Sequence, residues 1–280
     1  MPLVVETVHY ACISHKNLNS TELKTLVGQR DPIFGPTSMD PIARRFHALV
    51  QEGLDYEQIA HMVETDGVDV DCIDQFENTA LMVGALYGKT TACCLLLELG
   101  AGVNRRNRNG ATALNYALSN GHQNTVLLLL RRGANPNNCA KNGSIPLLFA
   151  IQLGLTDLCR ELLNYGADLD VKLNDGASAV FLACQAGNLD LLKLLAASGA
   201  NLGMLRNDQT NALLIACQLG RTLIVRELLT CYKRQKSTES GDKKRKLSNH
   251  AEIIRRCIKK ANAKGFADIV ELLMEYEAPT

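Results

Sequence analysis

Apolar positions along this chain cluster in short leucine-rich stretches that return at a fixed interval: Cys93-Cys94-Leu95-Leu96-Leu97, Thr125-Val126-Leu127-Leu128-Leu129-Leu130, Leu158-Cys159-Arg160-Glu161-Leu162-Leu163 and Leu191-Leu192-Lys193-Leu194-Leu195. Each stretch has the spacing of a short amphipathic helix. Ahead of it lies a second apolar stretch built from small residues and opened by a tight-turn signal, as in Asn109-Gly110 before Ala113-Leu114 and Ala117, Asn142-Gly143 before Pro146-Leu147 and Ala150, and Asp175-Gly176 before Ala183. Glycines punctuate the pattern. Gly88, Gly121, Gly154, Gly187 and Gly220 follow the small-residue stretches, and the pairs Gly100-Ala101, Gly133-Ala134, Gly166-Ala167 and Gly199-Ala200 follow the leucine-rich ones, each series with a 33-residue stride. The unit therefore reads turn, helix, glycine break, helix, Gly-Ala stop. A period of this length predicts a solenoid.

Five consecutive units, residues 74–232, carry this pattern in phase, and on these residues the chain resembles the ankyrin repeat family, whose motif runs D-x-x-G-x-T-P-L-H-x-A, then G, L-L and G-A-x-x-N. The resemblance implies an all-α solenoid of about seven helix-turn-helix units, degenerate terminal repeats included, joined by short hairpin-like loops. The sequence departs from the motif at the T-P-L-H tetrapeptide, which reads Thr79-Ala80-Leu81-Met82, Thr112-Ala113-Leu114-Asn115, Ile145-Pro146-Leu147-Leu148, Ser178-Ala179-Val180-Phe181 and Asn211-Ala212-Leu213-Leu214. With the histidine missing from every unit, the usual bracing of each turn is expected to be weaker, and apolar stacking between neighbours to supply most of the stability.

Two further pieces extend the array. Residues 40–73 form a degenerate first repeat: Pro41 opens a helix holding Ile42, Phe46 and Leu49, Gly53 breaks it, and Gly67 lies one period before Gly100. At the other end Ala261 to Gly265, followed by Asp268-Ile269-Val270-Glu271-Leu272-Leu273, matches the stretch from Ala216, but Gly265 falls 45 residues after Gly220. A basic loop insertion, residues 233–248, is expected to separate the last regular unit from a capping repeat, residues 249–280. Residues 1–39 are expected to be an N-terminal segment and linker, with helix-start chemistry at Asn19-Ser20-Thr21-Glu22 and breaks at Asp31-Pro32 and Gly35-Pro36.

Composition narrows the chemistry. Hydrophobic residues make up 46% of 280, enough for a substantial core, and the formal charge is +1. No apolar run approaches a membrane span, and Met1 to Ser14 lacks the basic start of a secretory signal, Glu6 and His9 interrupting its apolar stretch. The ten cysteines contain no C-x-x-C, and Cys184 and Cys217 sit one period apart beside Ala183 and Ala216, as buried thiols of a reducing compartment would. Six histidines form no metal spacing; by the resemblance, His122 braces neighbouring repeats. Neither Gly100-Ala101-Gly102 nor Gly241 belongs to a phosphate loop, so no catalytic residue, cofactor or metal is expected.

Binding to another protein or peptide is what the resemblance implies instead. By motif position the hairpin tips hold Gln75, Phe76, Arg108, Asn109, Lys141, Asn142, Asn174, Asp175, Asn207 and Asp208, and the exposed edge of the inner helices holds Leu86, Tyr87, Ser119, Asn120, Gln152, Leu153, Gln185, Ala186, Gln218 and Leu219. Gln152, Gln185 and Gln218 repeat in phase, so their amides are expected to form a ladder at roughly 10 Å per step, able to pair with the backbone of an extended peptide. A solvated row of helix-forming glutamines is the plainer reading. Phe76, Leu86 and Tyr87 are apolar at exposed positions; they anchor a partner, or pack under the first repeat or the N-terminal segment.

Charge is distributed unevenly. Residues 233–264 carry twelve Lys or Arg against three Asp or Glu, a net +9, which leaves −8 for the rest. Lys243-Lys244-Arg245-Lys246, with Lys233-Arg234 ahead of it, resembles a nuclear localisation signal within a mobile polar loop; its plain alternative is a solvated loop of a cytoplasmic protein. Beyond it Ile253, Ile254, Cys257, Ile258 and Ala261 line one side of a helix and Arg255, Arg256, Lys259 and Lys260 the other. The basic side suits an acidic partner, RNA or an anionic membrane surface; the alternative function has this basic loop and helix binding nucleic acid or an anionic membrane surface with the repeats as support. Absence of interleaved aromatics and of any nucleic-acid module argues against nucleic acid.

Overall fold

The computed structural model describes residues 40–53, 56–140, 145–238 and 243–277, with residues 235–238 and 243–251 described by their helical backbone alone. These residues form the helices α1 Pro41–Glu52, α2 Tyr56–Glu64, α3 Ala80–Leu86, α4 Thr90–Glu98, α5 Ala113–Ser119, α6 Gln123–Arg131, α7 Pro146–Gln152, α8 Thr156–Asn164, α9 Ala179–Ala186, α10 Leu189–Ala197, α11 Ala212–Gln218, α12 Thr222–Thr238, α13 Lys243–Lys264 and α14 Ala267–Glu277. They pair in sequence into seven hairpins, the all-α repeat architecture that the period predicts. The expected N-terminal segment, residues 1–39, lies outside the described residues.

Contacts divide the chain into two units, Met1–Phe149 and Ala150–Thr280. Within the first, the inner helices α1, α3 and α5 stack side by side and the outer helices α2, α4 and α6 form a second layer. Small inner-helix residues permit the close stacking. α3 buries Ala80 to Ala85 throughout, and a Cβ on Gly84 would stand 2.9 Å from the Cys93 sulfur and 3.2 Å from Val50 Cγ1. The outer helices contribute the larger apolar groups, among them Leu96, Val126, Leu129 and Leu130, all buried. Within the second unit α9, α11 and α13 stack in the same way, with α8, α10, α12 and α14 as the outer layer.

Helix starts explain how the turns manage without the motif histidine. Thr79, Thr112, Ser178 and Asn211 each stand one residue before an inner helix, and each side chain accepts a hydrogen bond from the backbone N–H three residues on. Asn115 stands where the motif has histidine and closes a reciprocal capping box: its Oδ1 accepts from Thr112 N at 3.0 Å and from the Thr112 hydroxyl at 2.9 Å. The expected weakening is therefore offset locally. Between tips, Asn107 donates to Asn78 Oδ1 at 2.7 Å, and Asn78 donates to Asp74 at 2.9 Å.

Three of the glycine breaks, Gly88, Gly187 and Gly220, also meet a side chain of the next repeat. Gly88 has φ +66°, and its missing side chain leaves room for the His122 ring, whose Nδ1 would stand 2.5 Å from a Cβ there. Gly220 has φ +67° and lies in the same way under the ring of Phe266. Both demands, left-handed backbone and a covering ring, exclude other residues.

One expectation needs correction. The insertion 233–248 is not a loop: α12 runs on to Thr238 and α13 begins at Lys243, leaving only 239–242 outside the described residues. α12 has 17 residues where α4, α6, α8 and α10 have 9. The reason lies one period after Gly199-Ala200, where the chain reads Tyr232-Lys233. With no glycine to adopt the left-handed stop, the helix continues, and Tyr232 buries its ring and donates its hydroxyl to Leu202 O at 3.1 Å.

Candidate protein-binding groove

In the second unit the inner helices end in exposed or half-buried residues. Gln185 on α9 is exposed and Gln218 on α11 half-buried, at equivalent places on two packed helices, and Gln152 at the end of α7 is exposed. Leu219 is 44% exposed and Leu153 half-buried. One helical turn before the two glutamines stand Leu182 and Ile215, also half-buried, a pair that sequence reasoning passed over. Their signal was present: each immediately precedes a fully buried alanine, Ala183 or Ala216, at the 33-residue interval. Leu182 to Gln185 and Ile215 to Gln218 thus form a row in which apolar carbon alternates with amides, and residues 179–186 and 212–219 contain no charged side chain.

The tip residues of this unit are partly occupied by one another. Asp175 is half-buried, accepts from Ala177 N at 2.9 Å and pairs with Arg206 at 2.8 Å. Arg206 also lies 4.9 Å above the Phe181 ring and 3.3 Å from Asp208. Asp208 is exposed, and its carboxylate accepts from Thr210 hydroxyl and backbone N–H, which hold it below the usual carboxylate range. Asp175 therefore braces the tip, and Asp208 is the one more open to a ligand.

In the first unit Tyr87 is exposed, and partial burial of its ring pushes the phenol pKa up. Phe76 and Leu86 are half-buried; the Leu86 carbonyl accepts from His122 Nε2 at 3.0 Å, and the Phe76 carbonyl from Arg108 N at 3.4 Å. The bracing implied for His122 is thus present. Arg108 is exposed and pairs with Glu77, while Asn109 is exposed beside it. Asn120 is half-buried and donates to Tyr116 O at 2.9 Å, so its amide caps its own helix. Lys141 and Asn142 lie outside the described residues.

Other chemistry is sparse. Among the described residues six cysteines are buried (Cys93, Cys159, Cys184, Cys217, Cys231 and Cys257), Cys72 and Cys94 are half-buried, and Cys139 is exposed, against the expectation of burial throughout. Burial pushes the thiols of Cys93 and Cys159 up to about 12 and that of Cys72 to about 11, which keeps them protonated and weakly nucleophilic. Among the described residues no group of three or more His, Cys, Asp and Glu is placed to hold a metal ion, and no helix is long and apolar enough to cross a membrane. A cleft of about 540 Å³ between α12 and α14 mixes Arg226 and Lys233 with Asp268, Glu271 and Glu275, favouring neither sign of ligand.

No curated protein sequence matches the chain significantly. The family model for ankyrin repeats in three copies matches residues 46–140 and 147–240. Among solved structures, the crystal structure of an ankyrin repeat domain from Acinetobacter baumannii is 25% identical, with a TM-score of 0.62, covering 67% of this chain and 97% of that one. The chain therefore belongs to the ankyrin repeat family, whose repeats generally serve as protein–protein interaction modules.

Proposed function

We propose that the chain is a non-catalytic adaptor that holds an extended segment of another protein along the inner-helix row of its second unit. The observation that carries this reading is the phase-locked exposure of Gln185 and Gln218 on packed helices, flanked by Leu182, Ile215 and Leu219 and preceded one period upstream by Gln152 and Leu153. An extended strand offers N–H and C=O groups at a spacing that glutamine amides, each both donor and acceptor, can meet, while its side chains contact the intervening leucines and isoleucine. Leu153, Asp175 and Asp208 are proposed as further contacts of this segment, and Phe76, Leu86, Tyr87, Arg108, Asn109, Asn120, Lys141 and Asn142 of the first unit as partner contacts in their own right.

The reading places the protein in the cytoplasm, with nuclear entry through Lys243, Lys244, Arg245 and Lys246 and the nearby Lys233 and Arg234. The support is compositional: a dense basic run, and ten cysteines with no C-x-x-C pair. Affinity purification with quantitative mass spectrometry tests the function, comparing the parent with Gln152→Glu/Gln185→Glu/Gln218→Glu. A partner retained by the parent and depleted with the folded variant supports the groove; identical recovery with both refutes it.

A further inference from the structure

The groove row does not end at α11. α13 packs against α11 as α11 packs against α9, and its register is fixed by two equivalences: Ala261 is fully buried like Ala216, and Gly265 has φ +76° where Gly220 has φ +67°. Counting from these, Lys260 occupies the place of Ile215, Ala263 that of Gln218 and Lys264 that of Leu219. Lys260 and Lys264 are exposed, and Arg256, one turn earlier, is exposed in the same row. Their opposite side is what anchors the helix: Ile254, Cys257 and Ala261 are at most 1% exposed. A neutral row of amides and apolar groups on α9 and α11 thus turns into three cations at intervals of four residues on α13. Among the described residues no carboxylate forms an ion pair with any of the three.

We infer that the segment held by this groove belongs to a protein and is acidic at the end that meets α13, with Asp or Glu seated against Arg256, Lys260 and Lys264. The inference rests on the proposed groove and adds the partner's chemistry to it. Packed helices lie about 10 Å apart, and an extended chain advances about 3.3 Å per residue. One step from α11 to α13 therefore spans about three residues, so the acidic pair follows about three positions after the apolar residue seated on Ile215. Cations that take over the places of Ile215 and Leu219 beside the amide row suit such a segment. A nucleic acid would in addition call for aromatic platforms, and the inner positions of α9, α11 and α13 offer only Phe181, which is buried beneath Arg206.

The test pans a displayed library of random peptides on the purified full chain, on Arg256→Glu/Lys260→Glu/Lys264→Glu, and on the triple glutamine-to-glutamate variant, each checked for parent-like circular dichroism. Peptides selected by the parent are expected to carry apolar residues followed by Asp or Glu, and to lose affinity at least about tenfold on charge reversal. The reversed variant is expected to select Lys or Arg at that end. Arg256→Ala/Lys260→Ala/Lys264→Ala serves if reversal disturbs folding. Peptides that need the glutamines but carry no acidic end overturn this inference and leave the groove standing. Acidic peptides indifferent to the glutamines overturn the groove reading, and with it the continuity argued here. Selection of no peptide overturns both. So does tighter binding of an oligouridylate or of phosphatidylserine vesicles than of any selected peptide, measured on the same chain.

Discussion

His122 donates from Nε2 to the carbonyl of Leu86, 3.0 Å away in the preceding repeat, and its ring covers Gly88 in the space where a side chain would stand. One contact thus satisfies a helix-end carbonyl and fixes the stacking distance of two hairpins. Gly88→Ala is expected to cost about 2 kcal/mol, from left-handed backbone strain and displacement of the ring. His122→Ala is expected to cost about 1 kcal/mol. Because removing the ring makes room for the new methyl, the double variant should lose less than the sum; a double-mutant cycle in urea that proves additive contradicts the arrangement.

The outer-helix leucines carry the apolar core of each unit. Leu129 and Leu162 are fully buried, so Leu129→Ala and Leu162→Ala should each cost about 2 to 5 kcal/mol through the cavity left behind. Melting temperatures indistinguishable from the parent contradict the packing described.

Acid should weaken the first repeat through His47. This side chain on α1 is fully buried, donates from Nε2 to Cys72 O at 3.0 Å and has no partner for Nδ1. Burial lowers its pKa, outweighing the Cys72 hydrogen bond and the charge of Asp74, which both raise it. Above the ordinary value of about 6.5 the imidazole is neutral in folded and unfolded chains alike, and its burial carries no pH-dependent cost. As pH falls below that value the unfolded chain takes up a proton that the folded one refuses, so stability declines by up to about 1.4 kcal/mol per pH unit until the folded-state pKa is reached. Denaturation measured near neutrality and at mildly acid pH should show a larger loss in the parent than in His47→Gln. Equal losses contradict the assignment.

Much of this fold was legible because a left-handed stop leaves glycine little competition, so Gly88 to Gly220 and the Gly-Ala pairs, all at positive φ, print the period directly. The same logic, carried one step further to Tyr232-Lys233, announces the helical extension; reading polarity alone turned it into a loop. The Asp74, Asn78 and Asn107 network was out of reach, since Asn78 and Asn107 are neighbours only after two repeats stack. At the groove, glutamines stood out by identity. Leu182 and Ile215 did not, because a half-buried aliphatic residue has the same sequence signature as a core one.

The basic run on α13 offers a separate check. Changing Lys243, Lys244, Arg245 and Lys246 to alanine should leave the melting temperature close to the parent's and should shift a fluorescent fusion of the full chain toward the cytoplasm. An unchanged distribution removes the nuclear proposal.

The most direct measurement of the central claim is the affinity of the purified partner for Gln152→Glu/Gln185→Glu/Gln218→Glu. Three carboxylates placed where a ligand must shed its water should weaken binding at least tenfold, about 1.4 kcal/mol, without lowering the melting temperature of the free chain. Parent-like affinity in this variant, together with loss of binding in Phe76→Ala and Tyr87→Ala, contradicts the account and moves the contact surface to the first unit.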